Sequence, residues 1–108
     1  IRLHMYGESH IDIALSYVNI GLDFQALGRF KEALETYQKA LRIGLFNNYH
    51  PVLALSYFYM GTALQEINET KEAIHHFYQA LEMQIKLYGT THPNIATTYN
   101  SIGLVLQD

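Results

Sequence analysis

Cysteine is absent from this chain of 108 residues. That absence removes disulfides, iron–sulfur clusters, thiolate zinc sites and cysteine nucleophiles together, and it fits a reducing, cytoplasmic setting. Charge is scarce as well: Asp, Glu, Lys and Arg make up 16% of the residues, against roughly 25% in an average soluble protein. Ten acidic and seven basic residues leave a net charge of −3, so no basic field is available to hold nucleic acid. Long apolar runs are missing too. The longest stretch without a charge or side-chain amide, Pro51 to Leu64, is broken by Ser56 and Thr62 and falls short of the ~20 apolar residues of a membrane span. The chain opens at Ile1, with no initiator Met and no basic region leading into an apolar stretch and a cleavage site, and it reads as a segment of something longer. What is abundant is hydrophobic material: 49% of the residues, in a length typical of one domain, suffices for a packed core.

That material is arranged as a repeat. His10–Gln25 (HIDIALSYVNIGLDFQ), His50–Gln65 (HPVLALSYFYMGTALQ) and His92–Gln107 (HPNIATTYNSIGLVLQ) share His, Ala, Tyr, Gly and Gln at the same five places, at offsets of 40 and 42 residues. A second block follows the first two copies, KEALETYQKALRI from Lys31 and KEAIHHFYQALEM from Lys71. It aligns Ala33 with Ala73, Tyr37 with Phe77 and Ala40 with Ala80. A fixed period of this size is the mark of stacked supersecondary units.

Both blocks have helical spacing. Tyr17, Ile20, Gly21 and Phe24 fall at i, i+3, i+4 and i+7, one face of a helix, and Ala33, Tyr37, Ala40 and Leu41 do the same. Pro51 and Pro93 suit a first helical turn, where the missing N–H has no partner to lose, and Gly28 and Asn68 suit the left-handed residue that ends a helix. Short turns then make the two helices of a unit, A and B, antiparallel. A glycine in a helix interior costs roughly 1 kcal/mol against alanine. Its recurrence at 21, 61 and 103 therefore predicts a close helix contact, with Ala33 and Ala73 as the facing residues.

The order Tyr17, Ile20, Gly21, Phe24, Ala33, Tyr37, Ala40, repeated as Tyr57, Met60, Gly61, Leu64, Ala73, Phe77, Ala80 and half-repeated as Tyr99, Ile102, Gly103, Leu106, resembles the tetratricopeptide repeat signature. The longer period and the linkers Leu87–Ala96 and Met5–Ala14 are similar to the kinesin light chain type of array. The resemblance implies an all-α solenoid, a right-handed superhelix of antiparallel helix pairs. It divides the chain into the end of a preceding helix B (1–6), repeat 1 (10–46), repeat 2 (50–88) and helix A of repeat 3 (92–108). The linker Leu45–Pro51 is two residues shorter and lacks the Tyr-Gly pair, a change expected to alter the rotation between units.

Such a stack curves, and by the resemblance helices A line its concave side. The candidate peptide-binding residues there are Leu15, Asn19, Leu22, Gln25, Leu55, Phe58, Tyr59, Thr62, Gln65, Asn100 and Ser101, flanked by Val18, Glu66, Thr97, Leu104 and Gln107. No Lys or Arg is among them. The cationic clamp with which some tetratricopeptide domains grip acidic tails is therefore absent, and a peptide with apolar anchors, its backbone held by amides, is expected instead. Val18, Leu22 and Phe58 serve equally well as packing between helices, and Gln25, Gln65 and Gln107 as bridges across the A-to-B turn. Replacing Tyr59 and Asn19 by alanine is expected to weaken peptide binding with little change in stability.

Other signals carry little chemistry. His10, His50 and His92 recur once per repeat, which marks scaffold, and adjacent His75 and His76 lie about 100° apart on a helix. No metal site or cofactor is expected. No Ser/His/Asp arrangement, phosphate loop or carboxylate pair is recognisable, so no catalysis is expected. Glu35–Lys39 and Glu82–Lys86 read as surface i, i+4 pairs, and Asn68-Glu69-Thr70 as a turn rather than a glycosylation site. The expectation is a scaffold or adaptor that binds a protein partner, neither nucleic acid nor membrane. The alternatives are self-association through uncapped ends at Ile1 and Asp108, and a regulatory segment of a larger enzyme or sensor.

Overall fold

The structure, a computed structural model, describes residues 2–89 and 91–107, with side chains from His10 onward among them. Helices α1 (Arg2–Ala26), α2 (Phe30–Phe46), α3 (His50–Glu66), α4 (Thr70–Tyr88) and α5 (Pro93–Gln107) account for nearly all of it, and no strand occurs among the described residues. Each helix packs on the next in order, and α3 also touches α1 and α5. The result is a slab measuring 51 × 33 × 18 Å, an all-α solenoid of helix pairs.

Three of the four connections are one device repeated. Gly28, Asn48 and Asn68 take positive φ (78°, 52° and 64°) just past the ends of α1, α2 and α3. The following N–H of Arg29, Tyr49 and Glu69 reaches back five residues to the carbonyls of Phe24, Gly44 and Leu64 at 2.8–2.9 Å. This is the Schellman cap, which satisfies orphan carbonyls while reversing the chain in a few residues, so consecutive helices lie antiparallel. The fourth connection differs. α4 runs on to Tyr88 and ends at Gly89, with φ 80° and ψ −179°. The two-residue difference between the linkers, legible in the sequence, is the difference between these two terminations.

One expectation is corrected. The end of a preceding helix B was placed at 1–6, apart from repeat 1, yet α1 runs without interruption from Arg2 to Ala26. His10 is followed by Ile11, where His50 and His92 are followed by Pro51 and Pro93. Proline removes a helical hydrogen bond and Ile11 does not, while Gly7 alone costs only about 1 kcal/mol. Nothing in this stretch stops the ladder.

The core forms two adjoining clusters, one centred on Tyr37 and one on Phe77, both fully buried. Gly21 and Gly61 meet these rings rather than the alanines expected to face them. A Cβ on Gly21 would stand 2.6 Å from Cδ1 of Tyr37, and one on Gly61 2.7 Å from Cε1 of Phe77. Ala33 and Ala73 are nonetheless fully buried, since the A and B helices approach closely around each ring. A fully buried aromatic contributes about 1.5–3 kcal/mol by area alone, so the repeated glycine opposite an aromatic is the centre of each pair's stability. Ile20 departs from the pattern. It is 43% exposed while its counterparts Met60 and Ile102 are buried, because no described element packs on that side of α1.

Candidate functional site

The A helices α1 and α3 are tied together by a polar chain. The Tyr37 hydroxyl donates to Gln25 Oε1 at 2.8 Å, Gln25 Nε2 donates to Thr62 Oγ1 at 2.9 Å, and Thr62 Oγ1 donates to the Tyr59 carbonyl at 2.7 Å. Burial, and next the phenol of Tyr59, hold the Tyr37 hydroxyl well above the ordinary tyrosine range, so it stays a donor. Gln25 thus bridges three helices. Both ends of its amide are engaged within the fold, the structural role that its recurrence allowed. Gln65 has no such pair of partners, because Phe77 carries no hydroxyl and Leu104 stands at the position matching Thr62.

Around that tie the candidate residues divide. Leu15 and Asn19 are exposed on α1, Leu55 is half-buried on α3, and Leu22 packs on the first core cluster. Phe58 and Tyr59 sit edge-to-face with centroids 5.4 Å apart, Phe58 leaning on Phe77 at 5.7 Å and Tyr59 stacking on Tyr37 at 6.0 Å. Tyr59 is therefore partly core, and the expectation that removing it leaves stability almost unchanged does not fit this packing. Val18 is buried outright. On α5, Ser101 donates to the Thr97 carbonyl, and exposed Asn100 lines a shallow hollow with Tyr99, Gly103, Leu104 and Gln107, separate from the α3 residues. The structure brings together Leu55, Phe58 and Tyr59, and not Asn100.

These three line a hollow of about 170 Å³ between α3 and α5, bounded by the C-terminal end of α4. Pro51, Ala54, Gln84, Tyr88, Asn94 and Thr97 complete its wall, which contains no Asp, Glu, Lys, Arg or His. Of this wall, the sequence pointed to Leu55, Phe58, Tyr59 and Thr97 as groove residues, and not to Pro51, Ala54, Gln84, Tyr88 or Asn94. Gln84 is 6% exposed, and its Oε1 accepts from Thr98 Oγ1 at 2.6 Å. The signal for it was present: a glutamine at the end of the buried stripe Ala73, Phe77, Ala80, Leu81. At the α1–α3 junction the matching position is Gly44, and Val52 and Leu53 close over it, 3.1 and 3.0 Å from where a Cβ would stand.

Two of the histidines pack within the scaffold. His92 stacks on Tyr88 at 4.3 Å and accepts from the Asn94 N–H through Nδ1, while His76 contacts Tyr57 and its own helix backbone. No group of three or more His, Asp or Glu gathers as a metal site among the described residues, and no described helix is long and apolar enough to cross a membrane. Lys86 lies 3.8 Å from Glu82, as spacing predicts, whereas Lys39 sits over the Tyr17 ring.

Comparison with curated proteins gives no match. The sequence pattern of a family described as the tetratricopeptide repeat matches residues 12–86, well over half of the chain and all of α2 and α3. With paired antiparallel helices, an aromatic seated on glycine in each complete pair, and A helices side by side, this chain belongs to the tetratricopeptide repeat family.

Proposed function

We propose that this chain is a non-catalytic adaptor module that holds an extended peptide of a partner protein along the face shared by α1, α3 and α5. Tetratricopeptide repeats generally mediate protein–protein interactions, and the finer reading rests on one observation: a hollow with Leu55, Phe58 and Tyr59 in its wall and no charged side chain around it. An acidic tail entering that hollow would lose water without gaining a cation, so apolar anchors are the chemistry that fits. The period of 40 to 42 residues and the Leu87–Ala96 linker favour the kinesin light chain subtype of array, in a cytoplasmic setting.

The test uses peptides selected from a random displayed library on the 108-residue chain, titrated calorimetrically. Asn19→Ala with Leu55→Ser, which spares the Tyr37–Tyr59 stack, is expected to weaken binding about tenfold or more while helicity is kept. Unchanged affinity would move the site elsewhere.

A second reading has its own observation. Tyr99, Leu104 and Leu106 on α5 are 54%, 58% and 62% exposed, and Gly103 faces no atom within 4 Å, whereas Gly21 and Gly61 each seat an aromatic ring. That uncovered face favours self-association. Sedimentation across a concentration series tests it, and a monomer at high concentration removes it.

A further inference from the structure

The side-chain amide of Gln84 is almost wholly enclosed, yet one end of it has no partner among the described residues. Its Oε1 is taken by Thr98, and no described residue accepts from its Nε2. That nitrogen is nonetheless not sealed from solvent, since among the described residues the sealed side-chain atom without a partner is Ser56 Oγ. With Gln84 in the wall of the α3–α5 cavity, its amide is among the groups that a ligand entering there would meet. A buried donor facing a hollow is held in one orientation and has already lost most of its hydration, so an acceptor brought to it gains more than at a free surface.

We infer that Gln84 is the polar anchor of a specificity pocket for one uncharged residue of a partner peptide: an apolar side chain of about leucine or phenylalanine size enters the cavity, and the adjoining backbone carbonyl accepts from Gln84 Nε2. This rests on the groove reading proposed above and adds the chemistry of one subsite to it. Size is the first argument. A benzene ring fits in a cavity of about 150 Å³, so this open, mixed-lined hollow of about 170 Å³ has room for one ring or branched aliphatic side chain. Charge is the second. The wall holds no Asp, Glu, Lys, Arg or His, so a charged anchor would be desolvated without compensation. The acceptor is the third, because an extended peptide offers backbone carbonyls at every residue. The pocket belongs to this junction alone among the described pairs of A helices: Gly44 holds Gln84's place at the α1–α3 junction, where Val52 and Leu53 fill the space. The longer α4 supplies the last wall residue, Tyr88.

The experiment is an NMR titration of the ¹⁵N-labelled chain with N-acetyl-leucine methylamide, and separately with N-acetyl-aspartate methylamide. The leucine probe is expected to shift the Gln84 side-chain NH₂ resonances saturably, together with the backbone amides of Phe58 and Tyr59. In Gln84→Met its affinity falls about fivefold, the loss of one hydrogen bond. The substitution keeps side-chain length, and Thr98 Oγ1 retains the Asn94 carbonyl at 3.1 Å, so the fold has an alternative partner in place. The aspartate probe binds at least about tenfold more weakly. An unmoved Gln84 amide, a Gln84→Met chain that titrates like wild type, or equal binding of the aspartate probe overturns the assignment. The groove reading fails separately, when library-selected peptides bind Asn19→Ala/Leu55→Ser as tightly as wild type.

Discussion

Gly61 and Phe77 are packed so closely that a Cβ on the glycine would stand 2.7 Å from the ring, whereas a Cβ on Gly103, at the same register of α5, would meet nothing within 4 Å. Alanine is better than glycine in a helix interior by about 1 kcal/mol, and overpacking costs about 1–3 kcal/mol. Gly61→Ala is therefore expected to lose up to about 2 kcal/mol and Gly103→Ala to gain up to about 1 kcal/mol. Urea melts of the two variants check this, and equal signs would contradict the packing drawn for α3 and α4.

Tyr37→Phe makes the first pair of helices resemble the second, where Phe77 stands. It deletes the donor to Gln25 and leaves that amide short of a partner, so a loss of about 1 kcal/mol is expected. A double-mutant cycle with Thr62→Val should show coupling, since Gln25 joins the two hydroxyls. Strict additivity would mean the chain of hydrogen bonds does not act as a unit.

The same hydroxyl gives the fold an alkaline limit. Folding holds the Tyr37 proton more tightly than the unfolded chain does, so its contribution is complete below the unfolded tyrosine value of about 10. It is lost as the pH rises above that, because the unfolded chain then releases a proton that the native state keeps. Stability measured across this range should fall more steeply for wild type than for Tyr37→Phe. Parallel curves would assign the loss to other groups.

Ser56 Oγ is sealed in the core with no partner, whereas Thr98, at the matching place in α5, bonds Gln84 and the Asn94 carbonyl. Removing an unsatisfied hydroxyl relieves a desolvation cost. Ser56→Ala is expected to be neutral or to stabilise by up to about 1 kcal/mol, and Thr98→Ala to destabilise by about 1 kcal/mol or more. Thermal melts would register the difference as a shift of several degrees.

Tyr59 illustrates where sequence reasoning stops. Its helical register placed it correctly beside Phe58 and Leu55, but the ring on which it stacks, Tyr37, belongs to another helix, and spacing along one helix carries no such information. Tyr59→Ala is accordingly expected to cost about 2 kcal/mol, so it is a poor probe of binding. Helix ends were legible where proline or left-handed Gly and Asn act locally, as at Pro51, Gly28 and Asn68, and not at the start of α1, where no proline follows His10. The glycine register was legible as a close contact, while its partner ring was not. Gln84 was missed because one polar residue on an apolar stripe gains meaning only when Thr98 is seen against it.

Chemical-shift mapping of the labelled chain with a library-selected peptide shows whether the face of α1, α3 and α5 holds it. Shifts are expected to concentrate at Leu15, Asn19, Leu55, Phe58, Tyr59 and Thr62. Shifts confined to the outer surfaces of α2 and α4, around Glu35, Lys39 and His75, would contradict it.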